Sequence, residues 1–95
     1  MSGIQPTAWG TFTARNITAP TVIKAAPGVP LMVQVLVAGT TNGAIYDASS
    51  TSGNVVANQV ASIPASVGGY IIQTPCQTGI LIVPGSGQTL AVSYA

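Results

Sequence analysis

Residues 30–48 read PLMVQVLVAGTTNGAIYDA. Successive side chains of an extended chain point to opposite faces. Leu31, Val33, Val35 and Val37 therefore share one face, and Met32, Gln34, Leu36 and Ala38 share the other. Both faces are mostly apolar, which predicts a strand covered on both sides. Thr40-Thr41-Asn42-Gly43 comes next. Asn-Gly accepts positive φ at both central positions of a tight turn, so the chain is expected to fold back as a hairpin with 44–48 as the returning strand. The last 17 residues, GILIVPGSGQTLAVSYA, have the same form. Two branched runs flank Pro-Gly-Ser-Gly, a second expected hairpin.

The rest of the chain follows this pattern. Val, Ile and Thr make up 31 of the 95 residues, and these β-branched types suit pleated, half-buried surfaces. No window carries an apolar stripe at helical spacing, Glu is absent, and Lys and Arg occur once each. Strands are expected at 9–17, 21–25, 31–38, 44–48, 54–60, 70–74, 80–83 and 88–94, with Ser49 to Gly53 as a flexible turn. Pro75 stops the 70–74 strand or places it at an edge. About eight short antiparallel strands with turns every 8–12 residues predict an all-β fold: one small β-sandwich or jelly roll, or a partly open barrel. Residues 9–95 form the single domain, and residues 1–8 read either as a frayed terminus or as an amino-terminal arm that reaches a neighbouring subunit.

Three side chains carry charge, Arg15, Lys24 and Asp47, where about a quarter of a soluble domain is usually charged. At 47% hydrophobic content the chain is not a disordered one. The longest apolar stretch, 28–39, is about 12 residues and includes Gln34, short of the roughly 20 a membrane helix needs. No secretion signal is legible at the start, so the chain is expected in the cytoplasm where it is made, or to leave inside a larger assembly. The net charge of +1 offers no clustered Lys and Arg for nucleic acid. Ser, Thr, Asn and Gln, 29 residues in all, replace charge on the wet surface. A near-neutral surface favours self-association, and strand edges rich in Val and Ile need covering.

Chemistry is scarce. Lys24 and Asp47 are the only candidates for acid–base work. Without histidine there is no catalytic triad, and one Cys with one Asp does not make a zinc or calcium site. The glycine-rich segments 84–90 and 66–70 lack the Gly-Lys-Ser/Thr ending of a phosphate loop. Asn16-Ile17-Thr18 matches the glycosylation pattern by accident. Cys76 is alone and reads as a small buried apolar side chain. Arg15 and Asp47 are a conceivable surface pair, adding about 0–1 kcal/mol. No enzyme activity, metal or cofactor is expected. Trp9, Phe12, Tyr46, Tyr70 and Tyr94 read as core filling and interface anchors, with a sugar-stacking platform as the other reading.

Two segments, AAPGVPLMVQVLVAGTTNGAIYDASSTSGNVVA (25–57) and GGYIIQTPCQTGILIVPGSGQTLAVSYA (68–95), resemble small tailed-bacteriophage virion proteins of the capsid decoration, or cement, type. The shared features are a strand after Ala-Pro-Gly, an Asn-Gly turn into Ile-Tyr-Asp, a Ser/Gly-rich turn, and a closing Gly-rich strand pair ending in Tyr. TPCQTG at 74–79 departs from the more polar lead common in that family. The resemblance implies a β-sandwich or jelly roll on the outer surface of a phage head, binding the major capsid protein and self-associating as a homotrimer. It implies no catalytic residues. Trp9 and Phe12 near the arm, and Tyr94 on the last strand, are the expected assembly anchors. Another virion role, as a neck, tail or head-fibre subunit, and a glycan-binding module stay open.

Overall fold

The computed structural model describes residues 11–95. The chain runs through β1 (Phe12–Ile17), β2 (Thr21–Lys24), β3 (Pro30–Val37), β4 (Gly43–Asp47), β5 (Gln59–Ile63), β6 (Gly68–Ile71), β7 (Ile80–Val83) and β8 (Thr89–Tyr94). Two short 3-10 turns, Thr51–Gly53 and Val56–Asn58, lie between β4 and β5. The strands form two four-stranded antiparallel sheets, ordered β1-β8-β3-β6 and β2-β7-β4-β5. The fold is all-β, as expected.

The order has a simple origin. β1 pairs with β8, β2 with β7, β3 with β6 and β4 with β5. The first half of the chain is thus an antiparallel ribbon with the second half, and the ribbon is rolled so that alternate rungs fall in opposite sheets. This is the jelly-roll wrapping. The lateral contacts β3–β8 and β4–β7 close each sheet.

That wrapping corrects both expected hairpins. β3 and β4 lie in different sheets, and so do β7 and β8; the one hairpin connects β4 to β5. The two segments are crossings between sheets, and they are tied to each other. The Thr40 N–H donates to the Ser86 carbonyl at 2.9 Å, and the Ser86 N–H donates to Thr41 Oγ1 at 2.9 Å. Asn42 Oδ1 accepts the Ala65 N–H at 3.1 Å, and among the described residues the glycines at positive φ are Gly68 and Gly87, not Gly43. Asn42 therefore fastens a neighbouring crossing instead of shaping a tight turn. Gly85 is required by close approach, since a Cβ there would collide with the Thr41 carbonyl. Gln88, 1% exposed, joins the bundle: its Oε1 accepts the Gly85 N–H at 2.9 Å and its Nε2 donates to the Pro64 carbonyl at 2.7 Å. A buried amide satisfied on both sides is stabilising, whereas one left unpaired is costly.

The core lies between the sheets and is built from Ile17, Val33, Val35, Ile45, Ile63, Cys76, Ile80, Ile82, Leu90 and Val92. β3 is covered on one face only, because Gln34, Leu36 and Val37 are exposed. β7 is covered on both faces, with Ile80, Leu81 and Ile82 all fully buried, and Gly43–Ile45 of the adjoining β4 are buried too. β7 sits between β2 and β4, and outward-facing Leu81 is flanked by its cross-strand partners Val22 and Tyr46. Two further boundaries differ from expectation. Residues 54–60 do not form one strand: Val55 and Val56 are exposed in and before a 3-10 turn, and β5 begins at Gln59. β6 is Gly68–Ile71, earlier than 70–74, because Gln73, in the left-handed region at φ 56, turns the chain before Pro75.

Candidate functional site

The outer face of the β1-β8-β3-β6 sheet is a four-stranded surface with several exposed side chains. Alternation from buried Val33, Val35, Leu90 and Val92 places Met32, Gln34 and Leu36 of β3 and Thr89, Ala91 and Ser93 of β8 outward. The pairs Thr13↔Ser93 and Met32↔Ile71 add Thr13 of β1 and Ile71 of β6 to the same face. The β1–β8 half is thus rich in hydroxyls, and the β3–β6 half is apolar around Gln34. Arg15 is the one charged side chain on it among the described residues. A shallow open depression lined by Thr13, Arg15, Asn16, Leu36 and Thr89 crosses the polar half. Four strands about 4.8 Å apart and about six residues long give a face of roughly 400 Å². That is about half of the ~800 Å² each partner contributes to a standard interface. A partner docked firmly on this face would need a second contact region. The connection from β4 to β5 offers one in Val56, 86% exposed, beside half-exposed Val55.

Of the expected anchors, Trp9 lies outside the described residues, as does the arm 1–8. Phe12, 43% exposed at the start of β1, is the direct cross-strand partner of Tyr94. Their ring centroids are 5.8 Å apart with a 34° tilt, within the usual range of favourable aromatic pairs. Two residues read as belonging to separate surfaces are one pair at the open end of the core, against which Tyr94 is packed. Tyr70 also packs on the core, and its hydroxyl donates to the Ser66 carbonyl at 3.0 Å. Leu36, Val67 and Ile71 were not singled out in the sequence. Their exposure depends on which face of each strand meets the other sheet, and single-strand alternation does not state that.

Asp47 and Cys76 are engaged within the fold. Asp47 and Arg15 do not pair: they lie in opposite sheets, and the Asp47 carboxylate is occupied. Its Oδ2 accepts the Gln77 N–H at 2.9 Å, and its Oδ1 accepts those of Thr78 at 2.7 Å and Gly79 at 3.2 Å. The Gln77 hydrogen bond above all, with those of Thr78 and Gly79, holds the carboxyl below the usual carboxylate range against a smaller opposing effect of burial. Cys76 is 2% exposed and bridges to Gly28 through both backbone bonds, at 3.0 and 2.7 Å. Burial, and then the Asp47 charge, push its thiol up to about 11, so it is held protonated and unreactive. Among the described residues no group of three His, Cys, Asp or Glu stands close enough to hold a metal ion. No helix among them is long and apolar enough to cross a membrane.

No protein-family model, curated protein or solved structure matches this chain.

Proposed function

We propose that this protein is a structural virion subunit of the decoration type, which binds the major capsid protein on the outer surface of a phage head and stabilises the shell. The observation that carries this reading is the outer face of the β1-β8-β3-β6 sheet, four strands wide and bearing one charge, Arg15, among the described residues. Such a face works by area. Many copies on one shell add their modest individual contacts by avidity, which suits a face of about half the standard size. The chain acts by contact and carries out no catalysis: its single carboxylate side chain holds the 77–79 segment, and its thiol is buried in the core. The sequence resemblance over 25–95 supports the same role, with self-association on the shell and synthesis in the host cytoplasm. Of the described aromatics Phe12 alone is exposed, which favours this reading over a sugar-stacking module.

The test is to add the purified protein to undecorated phage heads and follow co-sedimentation and heat-induced release of DNA. Saturable binding with a raised release temperature is expected, and Leu36→Asp should weaken both while the variant stays folded. Heads that neither bind the protein nor gain heat resistance would reject the proposal.

A further inference from the structure

The four sheet edges differ in how they are protected. β1 carries Arg15, a register shift between Ala14 and Ile17, and Asn16 at φ 57. β2 carries Lys24 and a register shift between Val22 and Lys24. On β5, pairing with β4 shifts opposite Ile45 and Tyr46, and Gln59 Nε2 donates to the Ala61 carbonyl of its own strand at 3.3 Å. Charges, bulges and occupied backbone groups all blunt an edge against pairing. β6 lacks charge and register shift, and its one backbone irregularity is Gly68, at φ 153 at its first position. Its pairing with β3 runs unshifted from Met32↔Ile71 to Val35↔Gly68, it carries no charge, and β3 is its one neighbour among the described strands.

The outward backbone groups of β6 follow from the ladder. The Ile72 N–H donates to the Leu31 carbonyl at 2.9 Å, so by alternation residues 70 and 68 also turn their backbone groups toward β3. Gly69 and Ile71 then present their N–H and C=O groups away from the sheet. The Ile71 side chain, 73% exposed, stands on the outer face, and Val67 just before β6 is exposed too.

We infer that β6 is the pairing edge for a second copy of this chain, joined antiparallel about a two-fold axis with Tyr70 opposite its counterpart and Gly69 opposite Ile71. In this register the outward groups of Gly69 and Ile71 meet those of the other copy as hydrogen-bonded pairs and complete the ladder across the join. Each Ile71 lies beside Gly69 of the other copy, over which that copy's Met32 methyl sits, so two apolar side chains come together. The apolar halves of the two outer faces become continuous. A second copy is the occupant because the edge is self-complementary under this symmetry and because the three charged side chains all lie off β6 and β3. Two copies therefore approach with no like charges opposed. An edge of four residues is small against the ~1,200–2,000 Å² of a standard interface, so pairing depends on concentration. The inference stands apart from the virion role, and the homotrimer implied by the sequence resemblance would need a different surface.

The test is sedimentation equilibrium of the full chain over a wide concentration range, with amide hydrogen exchange read at each end. The mass should rise from 9.4 kDa toward twice that value, and the Gly69 and Ile71 amides should gain protection as it does. Ile71→Lys, at an exposed position, should weaken pairing by about tenfold or more with an unchanged circular dichroism spectrum, while Thr13→Lys at the far edge should pair normally. A mass independent of concentration would overturn the inference. So would an oligomer whose Gly69 and Ile71 amides exchange as freely as in the monomer, which needs no variant to observe.

Discussion

Replacing Asp47 by alanine removes the one carboxylate side chain of the protein and with it three backbone hydrogen bonds, from Gln77, Thr78 and Gly79. These bonds hold the segment that carries Cys76 into the core and leads into β7, a strand buried on both faces. A hydrogen bond to a charged acceptor contributes about 1.5–3 kcal/mol when its loss strands a buried partner. Here the Gln77 and Thr78 bonds lie at the surface, where water replaces much of what is lost. The cost is therefore about 2 kcal/mol for the set, not the sum of three full bonds. For a domain of this size that is a fall in Tm of roughly 8–16 °C. Asp47→Asn keeps one acceptor oxygen but turns an NH2 group toward an N–H donor, so it should cost about half as much.

The pH dependence separates this account from a simple packing loss. The folded pKa of Asp47 is lowered, so its stabilisation is fully present above the unfolded carboxylate value of about 3.9 and is lost as pH falls through the folded value. Thermal unfolding followed by circular dichroism from neutral pH into acid should give a falling Tm below about pH 4 for the wild type. The curve for Asp47→Asn should be nearly flat there, since no other side chain in the protein is a carboxylate. An Asp47→Asn variant that loses stability in acid as steeply as the wild type would refute the reasoning.

Other consequences follow from the same contacts. Gln88→Leu leaves the Gly85 N–H and the Pro64 carbonyl without their partners and should cost about 2 kcal/mol by urea unfolding, although leucine is the more hydrophobic residue. The Cys76 thiol should resist an aromatic disulfide reagent in the native protein and react at once in denaturant. Because its folded pKa is raised to about 11, its contribution to stability is present below the unfolded value and lost as pH rises above it; Cys76→Ala should flatten that alkaline limb. Since β1 pairs with β8 and β2 with β7, refolding measured by stopped-flow fluorescence should take milliseconds to seconds or longer, as for other folds dominated by distant pairings.

How much of this was legible in the sequence depends on the kind of information. Strand existence followed from local pattern: 80–83 was read to the residue, and 21–25, 31–38 and 88–94 to within one residue at each end. Pairing was not local. Asn42-Gly43 and Pro84-Gly85-Ser86-Gly87 carry hairpin composition, yet their loops hold each other through Thr40, Thr41 and Ser86, 45 positions away. Asn58, whose side chain donates to the Gly53 carbonyl at 3.0 Å, helps form the turns that interrupt the 54–60 run, a side-chain effect that β-propensity does not weigh. The candidate surface was legible only in composition. Near-absence of charge pointed to broad contact, but Leu36 and Ile71 stand out only once buried Val33 and Val35 identify the inner face.

The central claim is that the molecule works through wide, nearly uncharged contact, and the most direct measurement is its affinity for undecorated phage heads as a function of salt. An interface carried by apolar and hydroxyl groups should bind almost equally across roughly 0.05 to 0.5 M monovalent salt, while ionic attraction is screened over that range. Affinity that collapses as salt rises would place the binding in the few charged groups and contradict the account.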